Sequence, residues 1–241
     1  MRYVAIVKYL GTNYFGWQRQ PFEISVQQVI EDKLSTIFNT EIVIYASGRT
    51  DARVHAYGQV FHFDAPPFPV SKLKYALNKM LPGDIEIVKL QKAKDDFHAR
   101  YAAKSKTYEY LIYLGAKDPF LFNRVLFYPF ALDEKKLRKD AKLFVGTHNF
   151  QNFTSKKEDE ANFVRNISAV KIQKSGKMLK IVFIGEGFMR GQIRMMVGAL
   201  LAQNAGKEDA NFIKDNLNSK ERKIISHKVI GDGLYLRKVK Y

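Results

Sequence analysis

Residues 3–9 read as a strand. Ser25, followed three residues later by Gln28, has the form of a capping box, and Val26, Val29, Ile30, Leu34, Ile37 and Phe38 recur behind it at helical spacing. The β-branched run 41–46 and the run 56–63 read as strands, with the polar segment from Ser47 to Arg53 as the loop between them. Pro66-Pro67 breaks the pattern. Ser71 can then cap a helix carrying Leu73, Leu77 and Met80 on one side; Pro82-Gly83 ends it, and 84–90 is a strand. The predicted order is β-α-β-β-α-β.

The second half repeats that order. Residues 107–113 form a strand, Asp133 caps a helix bearing Leu137, Ala141 and Phe144, and strands at about 167–173 and 178–184 are joined by Lys174-Ser175-Gly176-Lys177. A long apolar helix begins near Phe188, and residues 233–239 close the chain as a strand. This pattern predicts an α+β protein of two fused ferredoxin-like (split β-α-β) domains, 1–104 and 105–241. Each has an antiparallel sheet with helices on one face. The other face is left open.

Charge gives that open face a partner. The 241 residues hold 40 Lys and Arg against 24 Asp and Glu, a formal net charge of +16. The excess is uneven: residues 1–120 carry 16 basic and 12 acidic side chains, and the remainder 24 and 12. A surface of this sign concentrates polyanions, and each phosphate it neutralises adds salt-dependent affinity. The expectation is a basic RNA-binding cleft on the helix-free side, with most of the backbone-gripping surface in the second domain. The basic run Lys135, Lys136, Arg138, Lys139 and Lys142, with Lys156-Lys157 and Lys171, Lys174, Lys177 and Lys180, supplies candidate phosphate contacts. Cys 0 excludes a disulfide framework and a thiolate zinc site and fits a reducing compartment. No apolar run approaches the roughly 20 residues that span a bilayer. The chain begins at once in strand-like alternation, so no signal peptide is expected and the expected setting is the cytoplasm. The histidines lack ligand spacing such as HExxH, so no metal is expected.

The densest chemistry lies in Gly48-Arg49-Thr50-Asp51-Ala52-Arg53-Val54-His55-Ala56. A carboxylate between two arginines is held in its ionised form, which suits a nucleophile or charge-stabilising group better than a general acid. The same residues also fit an Asx-type turn with a surface ion pair.

This run closely resembles the GRTDxGVHA signature of the tRNA pseudouridine synthase A family. The resemblance extends through the chain. Gly11-Thr12-Asn13-Tyr14-Phe15-Gly16-Trp17-Gln18-Arg19-Gln20 is similar to the family's opening motif, and Phe97-His98-Ala99-Arg100 leading to Lys106-Thr107-Tyr108-Glu109-Tyr110 to the stretch with its active-site tyrosine. Gly146 to Phe153, Arg165-Asn166-Ile167, and Phe188 with Ile193-Arg194-Met195-Met196-Val197-Gly198 resemble later landmarks, the last supplying an arginine beside the catalytic acid. Three departures stand out. Arg53 replaces the usual glycine, Met189-Arg190-Gly191 replaces a histidine-containing helix start, and Ser226-His227 replaces an alanine-proline pair.

The resemblance implies isomerisation of uridine to pseudouridine at tRNA positions 38, 39 and 40 of the anticodon stem-loop, without a cofactor. Asp51 is then the catalytic carboxylate. The residues leave open whether it attacks C1′ or the base, or removes a sugar proton. Tyr108 would pack against the target base, and Arg194, on an otherwise apolar helix, would pair with Asp51. Arg49 would assist extrusion of the nucleotide from its stem. Arg190, one turn before Arg194 on the same side, and Trp17 would contact substrate. The family further implies a homodimer in which one tRNA touches both subunits. Two other classes compete: a catalytically silent RNA-binding module on the same scaffold, and a carboxylate-dependent glycosidase. The glycosidase fits less well, because it needs a second acid and gains nothing from the positive charge.

Overall fold

A computed structural model of the chain describes residues 1–155 and 162–241. In chain order these form β1 (Arg2–Tyr9), α1 (Val26–Phe38), β2 (Tyr45–Ala46), β3 (His55–Asp64), α2 (Val70–Met80) and β4 (Ile85–Lys92). Then follow β5 (Ser105–Tyr113), β6 (Leu126–Phe127), α3 (Glu134–Ala141), β7 (Gly146–Asn149), β8 (Val164–Ser175) and β9 (Met178–Gly185). The helices α4 (Gln192–Asn204) and α5 (Phe212–Asn218) precede the last strand, β10 (Leu234–Lys240). The protein is a mixed α/β fold whose strands pair mostly antiparallel. It divides into two compact units, residues 1–104 with 235–241, and residues 105–234. The closing strand, expected with the second half, thus groups with the first unit. The reason is pairing: β10 runs parallel to β3, with Tyr235 opposite His55 and Leu236 opposite Ala56.

In the first unit β1 lies between β4 and β3, antiparallel to both. The Ser25 hydroxyl caps α1 by accepting from the Gln28 N–H (3.2 Å), and Asn39 ends the helix in the left-handed conformation, φ 50°. The run 41–46 pairs as a strand only at Tyr45 and Ala46. Upstream, its backbone donors go to α1 instead: the Ile42 N–H to Ser35 Oγ (2.9 Å) and the Ile44 N–H to Glu31 Oε1 (3.0 Å). Helix α2 starts at Val70 behind Pro69, not behind a Ser71 cap. It is tied to β4 by Asn78, whose side-chain amide exchanges two hydrogen bonds with the Ile87 backbone. The core joins Ile30, Leu34, Leu73 and Leu77 to Tyr3, Phe61 and Phe63, all buried. Burying each such side chain contributes about 1.5–3 kcal/mol.

In the second unit β9 lies between β5 and β8, and β7 pairs with β8. Asp133 caps α3 by accepting from the Lys136 N–H (3.0 Å). The β8–β9 hairpin turns at Gly176, φ 56°, and Lys177. Helix α4, expected from Phe188, begins at Gln192, because Gly191 at φ 71° interrupts any earlier helical path. Almost every α4 residue is buried, and Gly198 lets it pass close to the following loop: a Cβ there would lie 2.4 Å from the His227 carbonyl oxygen. Phe144, Phe150 and Phe153, all buried, form an aromatic cluster. Among the described residues no helix is long and apolar enough to cross a membrane.

Candidate active site

The Asp51 loop leaves β2 and enters β3 under backbone control on both sides. Ser47 donates its N–H to the Val60 carbonyl (2.7 Å) and its hydroxyl to Gln59 Oε1 (2.7 Å), while Gln59 Nε2 donates to the Gly48 carbonyl (2.7 Å). The Thr50 carbonyl accepts from the Trp17 N–H (3.1 Å), and the Thr50 hydroxyl bonds to the Tyr9 hydroxyl (2.9 Å). Burial pushes the pKa of that tyrosine up, so it stays a neutral hydrogen-bonding group. Beyond Asp51, the Arg53 N–H reaches the Tyr14 carbonyl (3.2 Å), and His55 Nδ1 accepts from the Gly11 N–H (2.8 Å). Thr50, Val54 and His55 are buried, Asp51 is half-buried, and Arg49, Ala52 and Arg53 are exposed. The fold therefore anchors the residues flanking the acid and leaves the acid at the surface. This is the arrangement a preorganised electrostatic group needs.

Two glycines make the anchoring possible. At Gly11 a Cβ would sit 2.1 Å from the Val54 carbonyl oxygen, and at Gly16, φ 92°, it would sit 2.5 Å from that of Thr50. The 11–17 segment thus lies flush against the loop. Asp51 itself opens a turn, closed by the Val54 N–H on the Asp51 carbonyl (3.2 Å). Arg53, third in that turn, has φ 65°, the left-handed conformation that type II turns assign to glycine. The turn keeps its shape with arginine present, at a cost of about 1–2 kcal/mol. Glycine would remove that cost but lose about 0.5–1 kcal/mol of chain entropy. Arg53→Gly is therefore expected to stabilise the protein by about 0.5 kcal/mol, read as a raised urea midpoint at unchanged slope. A lowered midpoint would contradict the strain.

Trp17, expected to contact substrate, is enclosed in the core. It is 1% exposed and lies between Tyr9 and Phe61, ring centroids 5.9 and 6.0 Å away, beneath the loop it helps to position.

The second unit carries the other two residues expected to act. Tyr108, on β5, is buried opposite Phe183 and meets Phe188 edge to face, centroids 5.3 Å apart. Arg194, half-buried in the first turn of α4, is clamped by the loop before β10. Its Nε donates to the Val229 carbonyl (2.7 Å), and the Val229 N–H donates back to the Arg194 carbonyl (3.3 Å). Next in that loop, the Ile230 carbonyl accepts from the Tyr110 hydroxyl (2.9 Å). Burial raises the pKa of Tyr110, the Arg194 charge opposes the shift and that of Asp232 adds to it. Asp232, a buried acid, was not among the expected site residues; its surroundings depend on a chain path that no local pattern encodes.

Arg190 does not lie one helical turn before Arg194. It is an exposed turn residue ahead of Gly191, its carbonyl accepting from the Thr154 hydroxyl (2.9 Å) and the Ser155 N–H (3.1 Å).

Part of the basic run works internally. Lys136 Nζ donates to the Gln203 carbonyl (2.6 Å), Arg138 and Lys174 both reach Glu134, and Lys180 pairs with Glu109 (3.5 Å). Lys135, Lys139, Lys142, Lys171 and Lys177 point outward as exposed cations. Lys156 and Lys157 lie outside the described residues. Among the described residues no group of three or more His, Asp or Glu side chains is arranged to hold a metal ion.

Comparison with known proteins bears on what this arrangement is for. A family model described as tRNA pseudouridine synthase matches residues 5–102 and 141–241, which include Asp51 and Arg194. The tRNA pseudouridine synthases A of Streptococcus pyogenes serotype M49 (strain NZ131) and serotype M1 are each 40% identical over 246 residues, spanning 100% of this chain and 99% of theirs. A solved structure described as a Cbf5-Nop10-Gar1 complex aligns with a TM-score of 0.41 at 13% identity, over 83% of this chain and 44% of that one. With the family model matching in both units and relatives alike from end to end, this chain belongs to the tRNA pseudouridine synthase A family, isomerases that act on tRNA.

Proposed function

We propose that this isomerase converts uridine to pseudouridine at positions 38, 39 and 40 of the tRNA anticodon stem-loop, with Asp51 as the catalytic carboxylate. The reaction is a rearrangement. The N1–C1′ bond breaks, the uracil turns, a C5–C1′ bond forms, C5 loses its proton and N1 gains one. Atoms and electrons balance within the nucleoside, so no cofactor enters. Loss of the base leaves the sugar electron-deficient, and a fixed, ionised carboxylate stabilises that charge. The observation that carries the proposal is the loop itself: main-chain bonds on either side of Asp51, with the carboxylate-bearing residue left half-buried.

Arg194 is the proposed guanidinium partner of Asp51. Tyr108 is the proposed wall against the target base, and Arg49, exposed beside the acid, the group that assists extrusion. Extrusion costs a few kcal/mol, offset by phosphate contacts at the exposed lysines of the second unit and at Arg190. For the fold, we propose the two-domain ferredoxin-like reading, with helices on one face and a basic cleft on the other. In its favour, the first unit has the order β-α-β-β-α-β, and β2 flanks β3 on the side away from β1. A cytoplasmic homodimer completes the proposal; Phe120, 87% exposed, with exposed Phe122 and Phe130, offers apolar surface for a second copy.

The test is an unmodified tRNA transcript incubated with the protein and no cofactor, with pseudouridine mapped by carbodiimide-dependent primer-extension stops. New stops at 38–40 are expected. Stops elsewhere in the tRNA would overturn the site assignment, and none at all would favour the silent RNA-binding reading.

A further inference from the structure

Outside the Asp51 loop, the first unit carries a chain of four rings that catalysis does not use. Tyr45 lies across from His62 in the β2–β3 register, and their rings stack at 5.3 Å and 27°. His62 meets His98 at 4.6 Å, and His98 meets Tyr101 at 4.3 Å. Of the two inner rings His62 is covered, 3% exposed, and His98 is half-buried, while the two ends are open: Tyr45 is 53% exposed and Tyr101 78%.

The open ends are held, not loose. His62 Nδ1 accepts from the Ala99 N–H (3.2 Å), and His98 Nδ1 accepts from the N–H groups of Arg100 (3.1 Å) and Tyr101 (3.4 Å). Three further anchors fix the same segment. The Tyr241 hydroxyl donates to the Ala99 carbonyl (2.8 Å), the Arg2 guanidinium donates to the Phe97 carbonyl (3.0 Å), and Phe97 packs on Tyr241. Burial, then the charges of His98 and Arg2, lower the pKa of His62 and favour its neutral form.

A rigid row of rings with exposed faces is costly for a protein to leave in water unless something covers it. The charge nearby says what. The Arg100 guanidinium lies 5.9 Å from the Tyr101 ring centre, and among the described residues no carboxylate pairs with it. The carboxylate of Asp64 is taken up by Arg2 (2.7 Å). Aromatic faces beside an unneutralised arginine match an unpaired nucleotide, base on the ring and phosphate on the cation.

We propose that Tyr45 and Tyr101, joined through His62 and His98, form a stacking platform for unpaired bases of the bound tRNA, with Arg100 holding an adjacent phosphate. The proposal rests on the reading of tRNA as substrate and adds a binding surface apart from the reacting uridine.

The probe is an unmodified tRNA transcript, its Kd measured by filter binding across a salt series. Tyr101→Ala, and Tyr45→Ala likewise, should weaken binding about 5- to 50-fold at fixed salt, with the slope of log Kd against log salt unchanged, because stacking releases no counterion. Arg100→Gln should shallow that slope by about 0.7–0.9, and Tyr101→Phe should bind within about twofold of wild type. Circular dichroism confirms folding; both tyrosines are exposed enough to be truncated without opening the core. Wild-type affinity in folded Tyr45→Ala/Tyr101→Ala would overturn the platform. So would an equal loss in Tyr101→Phe, which keeps the ring. The two readings fail separately: wild type that binds tRNA without forming pseudouridine contradicts the activity, while full activity with insensitive tyrosines contradicts only the platform.

Discussion

Asp51→Asn should abolish pseudouridine formation, by at least about a thousand-fold in single-turnover rate, while leaving tRNA affinity within about threefold of wild type. The substitution keeps the size and planarity of the side chain and removes the charge. The main chain carries part of the loop at this position, through the Asp51 carbonyl to the Val54 N–H, and its neighbours Thr50 and Arg53 are also held through their backbones. The loop should therefore stand, and the melting temperature should move by no more than about 2 °C. What disappears, in the proposed mechanism, is the negative charge that stabilises the electron-deficient sugar. A thousand-fold loss corresponds to about 4 kcal/mol of transition-state stabilisation, the upper range for a single preorganised electrostatic group. Product formed at the wild-type rate would remove Asp51 from the mechanism. A matching loss of tRNA affinity would instead recast it as a binding residue.

The features legible in the sequence are those whose causes are local. Ser25 and Asp133 cap their helices because a side-chain oxygen three residues before a free N–H needs only the first turn to form. The β8–β9 hairpin follows from alternation on both sides of a glycine turn. What the pattern misplaces depends on distant partners. The run 41–46 has strand composition, yet Glu31 and Ser35 of α1 take the donors of Ile42 and Ile44 before a ladder can. The closing segment is a strand as predicted, but nothing in its own residues says that β3 will pair with it in parallel. The candidate site divides the same way. The loop that carries Asp51 is legible from a dense polar motif between two strands. Trp17 is not, since an indole two residues from exposed polar neighbours looks like a ligand contact until Tyr9 and Phe61 are seen to enclose it. Arg190 looks helical from its spacing to Arg194, and the left-handed Gly191 breaks that inference. The clamp on Arg194 comes from Val229, thirty-five positions away, and leaves no local signature.

Gly16→Ala should be among the most damaging single methyls in the first unit. The residue has φ 92°, outside the region open to a side chain, and the added Cβ would lie 2.5 Å from the Thr50 carbonyl oxygen and 3.1 Å from the Asp51 carbonyl carbon. Neither neighbour is the free end of a flexible chain; both are backbone of the loop that carries the acid. Either the 11–17 segment retreats, breaking the Trp17 N–H bond to Thr50 (3.1 Å), or the loop does, moving Asp51. Backbone strain and lost hydrogen bonding together should cost about 2–4 kcal/mol, a fall in melting temperature of roughly 5–12 °C for a chain of this size. The folded fraction should also be slow, since displacing a catalytic group by about 1 Å costs on the order of a hundred-fold in rate. Gly83→Ala is the matched control: its Cβ would meet nothing within 4 Å, so neither stability nor rate should change. If Gly16→Ala instead melted and turned over like the control, the loop would have slack that its hydrogen bonds exclude, and a preorganised carboxylate could not be the source of the rate.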